Sequence, residues 1–218
     1  MFMNVEFESV SLISNYKKLN EKSYLIKANI SFYSGRTYLI KGSIDKYMLG
    51  PLLMGYIEPT FGTIKVGEYI LKRGKYLKNI KDYRKNIAYL PFDYNEMFNY
   101  KLVNNIFKEA LYNFKYKTIE DDKLVMEIIE NTGCYLDYKK EKLENLDSIT
   151  RYKLYLASIL IYDPQIIILE KIINDEKIMN YLNYLAHEKN KIVIFVGNYK
   201  IPVDNTYVIN NHILSEVK

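Results

Sequence analysis

The rhythm of apolar and polar positions changes as the chain advances. Residues 2–13 alternate polar and apolar side chains, the period of a half-buried strand. Lys22 to Tyr33 repeats the alternation, Ser34-Gly35 supplies a turn, and Thr37 to Ile40 is an apolar run, so the pattern predicts an antiparallel beginning. Tyr47 to Tyr56 is apolar and predicts a helix whose regular part is confined or kinked by Gly50-Pro51. Pro59 to Gly62 turns into a strand over Thr63 to Val66, and Ile87 to Leu90 is a short strand ended by Pro91.

From Asn95 to Asp147 the period becomes helical. Val103, Ile106, Phe107, Ala110 and Leu111 share one face, as do Leu124, Val125, Ile128 and Ile129. A helix then spans Ser148 to Tyr162, followed by a buried strand at Ile166 to Leu169, a helix near Asp175 to Lys189 and a buried strand at Ile192 to Val196. Strands that alternate with helices imply a parallel sheet. The expected class is therefore α/β: a mainly parallel sheet with an N-terminal antiparallel β subdomain and an inserted helical subdomain. No repeat or Pro/Gly/Ser-rich linker divides the chain, so one domain is expected, with a core of residues 1–93 and 148–218 and a helical subdomain at 94–147.

Composition narrows this picture mainly by exclusion. With 49% hydrophobic and 26% charged residues the chain can build a full core. The net charge of +5 is interleaved, with no basic block of the kind that binds nucleic acid. The single cysteine, Cys134, excludes an internal disulfide. The N-terminus lacks the basic and apolar regions of a signal peptide. The apolar stretch at Ile159 to Leu169, interrupted by Asp163, Pro164 and Gln165, falls short of the roughly 20 residues of a membrane span. With 23 tyrosines, a single tyrosine is weak evidence for a site.

Several segments, taken in order, resemble the ATP-binding-cassette (ABC) ATPase subunits of transporters. "ANISFYSGRTYLIKG" resembles the strands that feed the phosphate loop. "LLMGYIEPTFGTIKVGEY" is similar to the Gly and Pro-Thr-x-Gly-x-Ile stretch after that loop, and "IAYLPFDYNEMFNYKLVNNI" to the glutamine-loop segment. "LENLDSITRYKLYLASILIYDPQIIILEK" resembles the signature helix and the second phosphate-site strand, and "KIVIFVGNYKIPVDNTYVINNHILSE" the switch-histidine strand and closing hairpin. The resemblance covers nearly the whole chain and implies a P-loop NTPase-like core that binds ATP and Mg²⁺.

The residues at the matching positions depart from that chemistry. A phosphate loop of the form G-x-x-x-x-G-K-S/T surrounds phosphate with backbone N–H groups, a lysine and a hydroxyl on Mg²⁺. Here it corresponds to Gly42, Ser43, Ile44, Asp45, Lys46 and Tyr47, and too few residues separate Gly42 from Lys46. Asp45 adds negative charge, Tyr47 replaces the small hydroxyl, and a plain strand-to-helix turn with an Asp45–Lys46 surface pair is expected. Tyr16 is the positional candidate for stacking on adenine. Phe92 stands at the glutamine position without a donor or acceptor and is expected to pack.

At the signature, Leu146-Asp147-Ser148-Ile149-Thr150, Asp147 is expected to cap its own helix and so occupy the end that would meet phosphate. At the second phosphate-site strand, Glu170 retains the ability to reach a metal, while Lys171, a cation, stands where a general base belongs. Asn198 takes the switch-histidine position and carries no positive charge. His187 and His212 read as surface residues.

No catalytic set is intact and no metal site is expected; the family positions are Glu170, Lys171, Asn198 and Phe92. No cofactor is certain, and ATP with Mg²⁺ is at most weakly held. The resemblance implies two partners, a transmembrane permease and a second cassette subunit, and a place on the cytoplasmic side of the membrane through the permease. Phe92, Tyr94, Phe98 and Tyr100 lie where the family grips the permease. The expected function is structural or regulatory, with a slowly hydrolysing ATPase subunit and a non-transport interaction protein as the alternatives.

Overall fold

The computed structural model describes residues 3–14, 22–75, 77–94, 102–113, 120–134 and 140–217. Its first strands, β1 (Val5–Ser14) and β2 (Lys22–Phe32), pair antiparallel, and β4 (Phe61–Val66) joins the other edge of β1, with the short β5 (Tyr69–Leu71) beyond it. This gives a four-stranded antiparallel sheet in the order β2-β1-β4-β5.

The second sheet has six strands. β3 (Arg36–Gly42) lies at its centre, flanked by β8 (Ile192–Val196), then β7 (Ile166–Leu169) and β6 (Ile87–Leu90), all parallel. On the other side β9 (Asn205–Asn210) is parallel to β3, and β10 (Ile213–Val217) closes an antiparallel hairpin with β9. The α/β architecture expected from the sequence is thus present, including the antiparallel N-terminal sheet.

The central strands are apolar throughout because both of their faces are buried. Leu39, Ile167, Leu169, Val193 and Phe195 face one core with the helices α3 (Val103–Asn113), α4 (Glu120–Asn131), α5 (Ser148–Leu160) and α6 (Glu176–His187). Their neighbours Tyr38, Ile40, Ile166, Ile168, Ile192, Ile194 and Val196 face a second core shared with the antiparallel sheet. At roughly 1.5–3 kcal/mol for each buried large apolar side chain, this alternation supplies the main favourable term.

Three elements differ from expectation. The apolar stretch after β3 is not one helix over Tyr47 to Tyr56. A 3-10 turn (Ile44–Met48) leads into a helix, α1 (Leu49–Leu53), shortened by Pro51, which lacks a backbone donor. The helix α2 (Ile80–Lys85) and the strand β5 carry weak periodicity and were not expected. The helix α5 begins where the sequence placed it, because Asp147 accepts from the N–H groups of Ile149 (2.8 Å) and Thr150 (2.9 Å). It ends at Leu160 with Ile161 as its C-cap, and Asp163, in the left-handed region (φ 58°), and Pro164 follow.

Candidate functional site

The turns that follow the parallel strands gather at one edge of the sheet, the place where open α/β sheets receive ligands. Gly42 ends β3 with φ 109° against the backbone of β9, and a Cβ there would lie 2.1 Å from the Ile209 carbonyl oxygen. Its N–H donates to Asn198 Oδ1 (2.9 Å), and Asn198 Nδ2 returns a bond to the Gly42 carbonyl (3.4 Å). The Ser43 N–H donates to Ile209 O (3.0 Å) and the Lys46 N–H to Ser43 O (3.2 Å). Three of the N–H groups with which such a loop would hold phosphate are therefore taken by protein oxygens.

The charged side chains of the loop are also directed inward. Lys46 is 4% exposed, and its ammonium donates to the carbonyls of Gly42 and Ser43 (3.1 Å each) while lying 4.4 Å from the centre of the Tyr47 ring. Burial lowers the Lys46 pKa, and the neighbouring Asp45 partly restores it. Asp45 is 5% exposed and accepts from Ser43 Oγ (3.0 Å) and the His212 imidazole (2.9 Å). The expected Asp45–Lys46 surface pair is thus wrong: both residues are buried, and each has its own partners. The Walker-type geometry that would hold ATP and Mg²⁺ does not fit this loop as folded.

His212 is the residue that sequence reasoning missed. Rather than a free surface histidine, it is the second residue of the β9–β10 turn, where Asn211 (φ 48°) and His212 (φ 65°) are both left-handed. Its carbonyl accepts from Ile26 N–H (2.8 Å), so one residue ties β2, the closing hairpin and the loop together. An Asn-His pair between alternating strands signals such a turn, but nothing local points to Asp45. The other histidine, His187, is 45% exposed at its side chain and pairs with Asp204 (2.9 Å) at the opposite edge.

Glu170, at the end of β7, is 4% exposed. Its two oxygens accept from the Tyr89 hydroxyl (2.8 Å) and the Phe92 N–H (3.0 Å), and its backbone carbonyl from the Tyr199 hydroxyl (2.9 Å). Burial raises the Glu170 pKa, opposed by the bonds from Tyr89 and Phe92. Gly50 of α1 is pressed onto this pair: a Cβ would lie 2.4 Å from the Tyr89 ring and 3.0 Å from Glu170. The carboxylate thus holds the turn after β6 to the end of β7.

Lys171 lies over the rings of Phe92 (5.7 Å) and Tyr94 (5.2 Å), and its carbonyl accepts from the Tyr152 hydroxyl (2.8 Å). Phe92 does not pack into the core as expected; it is 51% exposed, 6.1 Å from Tyr47. Tyr94, expected to be a surface anchor, is 2% exposed in the helical core against Tyr152 and Tyr155. Tyr16, Phe98 and Tyr100 lie outside the described residues. At the signature, Ser148 and Ile149 are exposed, and Asp147, which also accepts from Thr150 Oγ1 (2.6 Å), is held below the usual carboxylate range, first by that hydroxyl and then by the Thr150 N–H.

The structure therefore brings Gly42, Ser43, Lys46, Tyr47, Phe92, Glu170, Lys171 and Asn198 to one edge. Yet their polar groups bond to one another and to the backbone. Such an arrangement fixes loops. Among these residues it offers no free carboxylate to take a proton from water, and Lys46 is not turned outward to a phosphate.

No protein-family model matches the sequence. The energy-coupling factor transporter ATP-binding protein EcfA2 of Bacillus cereus is 25% identical over 172 residues, 78% of this chain and 58% of that protein. EcfA3 of Oenococcus oeni is 26% identical over 183 residues, 76% of this chain and 61% of that protein. The matched region thus spans about three fifths of the length of these relatives. Among solved structures, the ATP-binding cassette MJ0796, in a dimeric post-hydrolysis state bound to ADP and Pi, superposes with a TM-score of 0.84 at 16% identity over 98% of both chains. The structure of cbiO1 from Clostridium perfringens, part of the ABC transporter complex cbiONQ, gives 0.76 at 19% identity over 97% of this chain and 86% of that one. The chain has the ATP-binding-cassette fold and is a distant homologue of the energy-coupling factor ATP-binding subunits of ABC transporters.

Proposed function

We propose that this chain is a cassette subunit kept for its surfaces, structural or regulatory within a membrane transporter, with little or no ATP hydrolysis of its own. Its partners on this reading are a transmembrane permease and a second cassette subunit. It reaches the cytoplasmic face of the membrane through the permease, and none of its described helices is long and apolar enough to cross a bilayer. The observation that carries the reading is the loop after β3: Lys46 bonds to the carbonyls of its own loop, and Asn198 and Ile209 take the N–H groups of Gly42 and Ser43. To admit a phosphate, the loop would have to break these bonds and bring Asp45 beside a polyanion. Two further features support the reading. The lysine at the base position cannot accept a proton while it is an ammonium, and Glu170 spends both oxygens on Tyr89 and Phe92. Phe92 remains the exposed aromatic of the permease-gripping segment, and residues 94–147 form the helical subdomain on this reading.

Calorimetric titration with Mg²⁺–ATP tests it. The expected result is no heat of binding. Micromolar binding that disappears in Lys46→Ala would sink the proposal in favour of an ATP-binding subunit.

A further inference from the structure

The positive charge of the chain is less evenly interleaved than its whole sequence suggests. Residues 72–85, KRGKYLKNIKDYRK, hold seven lysines and arginines and one acid, Asp82, a local charge of +6 in a chain whose net charge is +5. Outside this segment acids outnumber bases by one. The fold keeps these cations at the surface. Lys72, Arg73 and Lys75 lie in the turn after β5, and Lys78 and Lys81 flank the start of α2, all exposed. Lys85 is paired with Asp82 (3.1 Å), while among the described residues Lys72, Lys75, Lys78 and Lys81 form no ion pair.

These cations border a recess. A cleft of about 340 Å³ lies among Tyr56, Glu58, Lys72, Lys75, Leu77 and Arg84. Arg84 is pinned there by bonds to the Met54 (3.0 Å) and Gly55 (3.4 Å) carbonyls, its guanidinium 4.6 Å from the centre of the Tyr56 ring, which is 53% exposed. Glu58 accepts from the Gly74 N–H (3.1 Å), so its carboxylate closes the Lys72–Lys75 turn. The surface is concave and cationic around one amphipathic ring, the combination that suits a bilayer's headgroups: ammonium groups meet lipid phosphate, and a tyrosine sits at the polar–apolar boundary. Nucleic acid fits it less well. A duplex calls for an element that enters a groove, and α2 has six residues with Tyr83 buried beneath it. A single strand calls for successive stacking rings, and among the described residues of this face Tyr56 is the exposed aromatic.

The segment leads into β6, the edge strand of the six-stranded sheet, and Phe92 lies just beyond the other end of that strand. Four residues of strand span roughly 13 Å, so a chain held against a permease through Phe92 carries the basic face along the same edge. Resting on the membrane placement proposed above, we propose that residues 72–85 and Tyr56 contact the anionic lipid surface beside the permease, with a lipid phosphate seated between Lys72, Lys75 and Arg84.

Sedimentation of the full chain with vesicles, without nucleotide or permease, tests the contact. Wild type should sediment with vesicles of phosphatidylglycerol and phosphatidylcholine in equal parts, come off as salt is raised, and ignore phosphatidylcholine alone. Lys72→Gln, Lys75→Gln, Lys78→Gln and Lys81→Gln combined should weaken binding about tenfold or more. A control of equal net charge, Lys22→Gln, Lys108→Gln, Lys123→Gln and Lys200→Gln combined, should change it about twofold or less. All of these positions are exposed, so unchanged thermal melts will show that both variants fold. No binding to the anionic vesicles, equal binding to the neutral ones, indifference to salt, or equal losses in the two variants would each overturn the contact. So would tighter binding to a duplex or single-stranded oligonucleotide that the first variant loses, since the face would then belong to nucleic acid. None of these results touches the Mg²⁺–ATP titration, and heat of ATP binding would sink the function proposed above while leaving the vesicle result standing.

Discussion

At the amino-terminal ends of the parallel strands, the buried Lys191 gives its ammonium to Asp163 and to the Pro164 carbonyl (2.6 Å). Beside it, Asp204 accepts from the Thr37 N–H (2.7 Å) and hydroxyl (2.9 Å) and pairs with His187. At the carboxyl ends, Lys46 gives its ammonium to two carbonyls, and the Asp45 carboxylate takes Ser43 and His212. The two edges are closed by similar devices: a buried lysine donating to protein oxygens and an aspartate between a hydroxyl and a histidine. One edge of an open α/β sheet has no ligand to receive, and the other is where ligands bind. The likeness teaches that bonding in this chain treats its ligand edge as it treats its structural edge. A pocket meant for an exchangeable anion would leave donors pointing outward, and those of Gly42, Ser43 and Lys46 point to protein oxygens.

The largest expected effect is at Gly42. Gly42→Ala forces a left-handed alanine into the Ile209 carbonyl and should cost about 3 kcal/mol or more in urea melts. If the loop moved aside at little cost, the carboxyl edge would be softer than its bonding implies. A matched pair probes the likeness directly. Lys46→Met and Lys191→Met each remove a buried ammonium from its oxygens, and each should lose about 1–3 kcal/mol. A loss at Lys191 with none at Lys46 would break the comparison.

The carboxyl groups at the two edges should respond to pH with opposite sign. Burial raises the folded pKa of Glu170, so its contribution is full below about pH 4.3 and is lost as pH rises through the folded value. Relative to Glu170→Gln, the wild type should therefore lose stability from about pH 4 upward in melts across a pH series. Asp204 is held below its ordinary value by the Thr37 N–H, His187 and the Thr37 hydroxyl, although burial opposes them. Its contribution is present above about pH 3.9 and is lost as pH falls through the folded value, so the gap between wild type and Asp204→Asn should close in acid. The smallest effect is expected for Asn198→Ala, about 0.5–1.5 kcal/mol, because the side chain is exposed and water can replace it at Gly42.

Much of the architecture was legible in the sequence because it follows from local pattern. β6, β7 and β8 lie at the bounds their apolar runs set, since a strand buried on both faces has no polar positions to blur its ends. Asp147 caps α5 through bonds to residues two and three places ahead. The order of segments also placed Gly42, Lys46, Phe92, Glu170, Lys171 and Asn198 at one edge. What that order did not give was the direction of each side chain. Phe92 and Tyr94 are two places apart, yet one is half exposed and the other buried, according to whether the helical core or solvent faces that part of the turn.

The sequence by itself determined the cassette frame, the helix cap and the residue types that stand in the loop after β3 and at the end of β7, because each depends on residue type and on short separations. Only the tertiary structure decided how those side chains are partnered. Asp45 finds His212 and Gly42 finds Asn198 across more than 150 residues of chain, and both pairs exist because β3 is flanked by β8 and β9, which bring their following turns to its end. No local rule encodes such a meeting. It arises when strands distant in sequence become neighbours and buried donors such as the Lys46 ammonium must find acceptors.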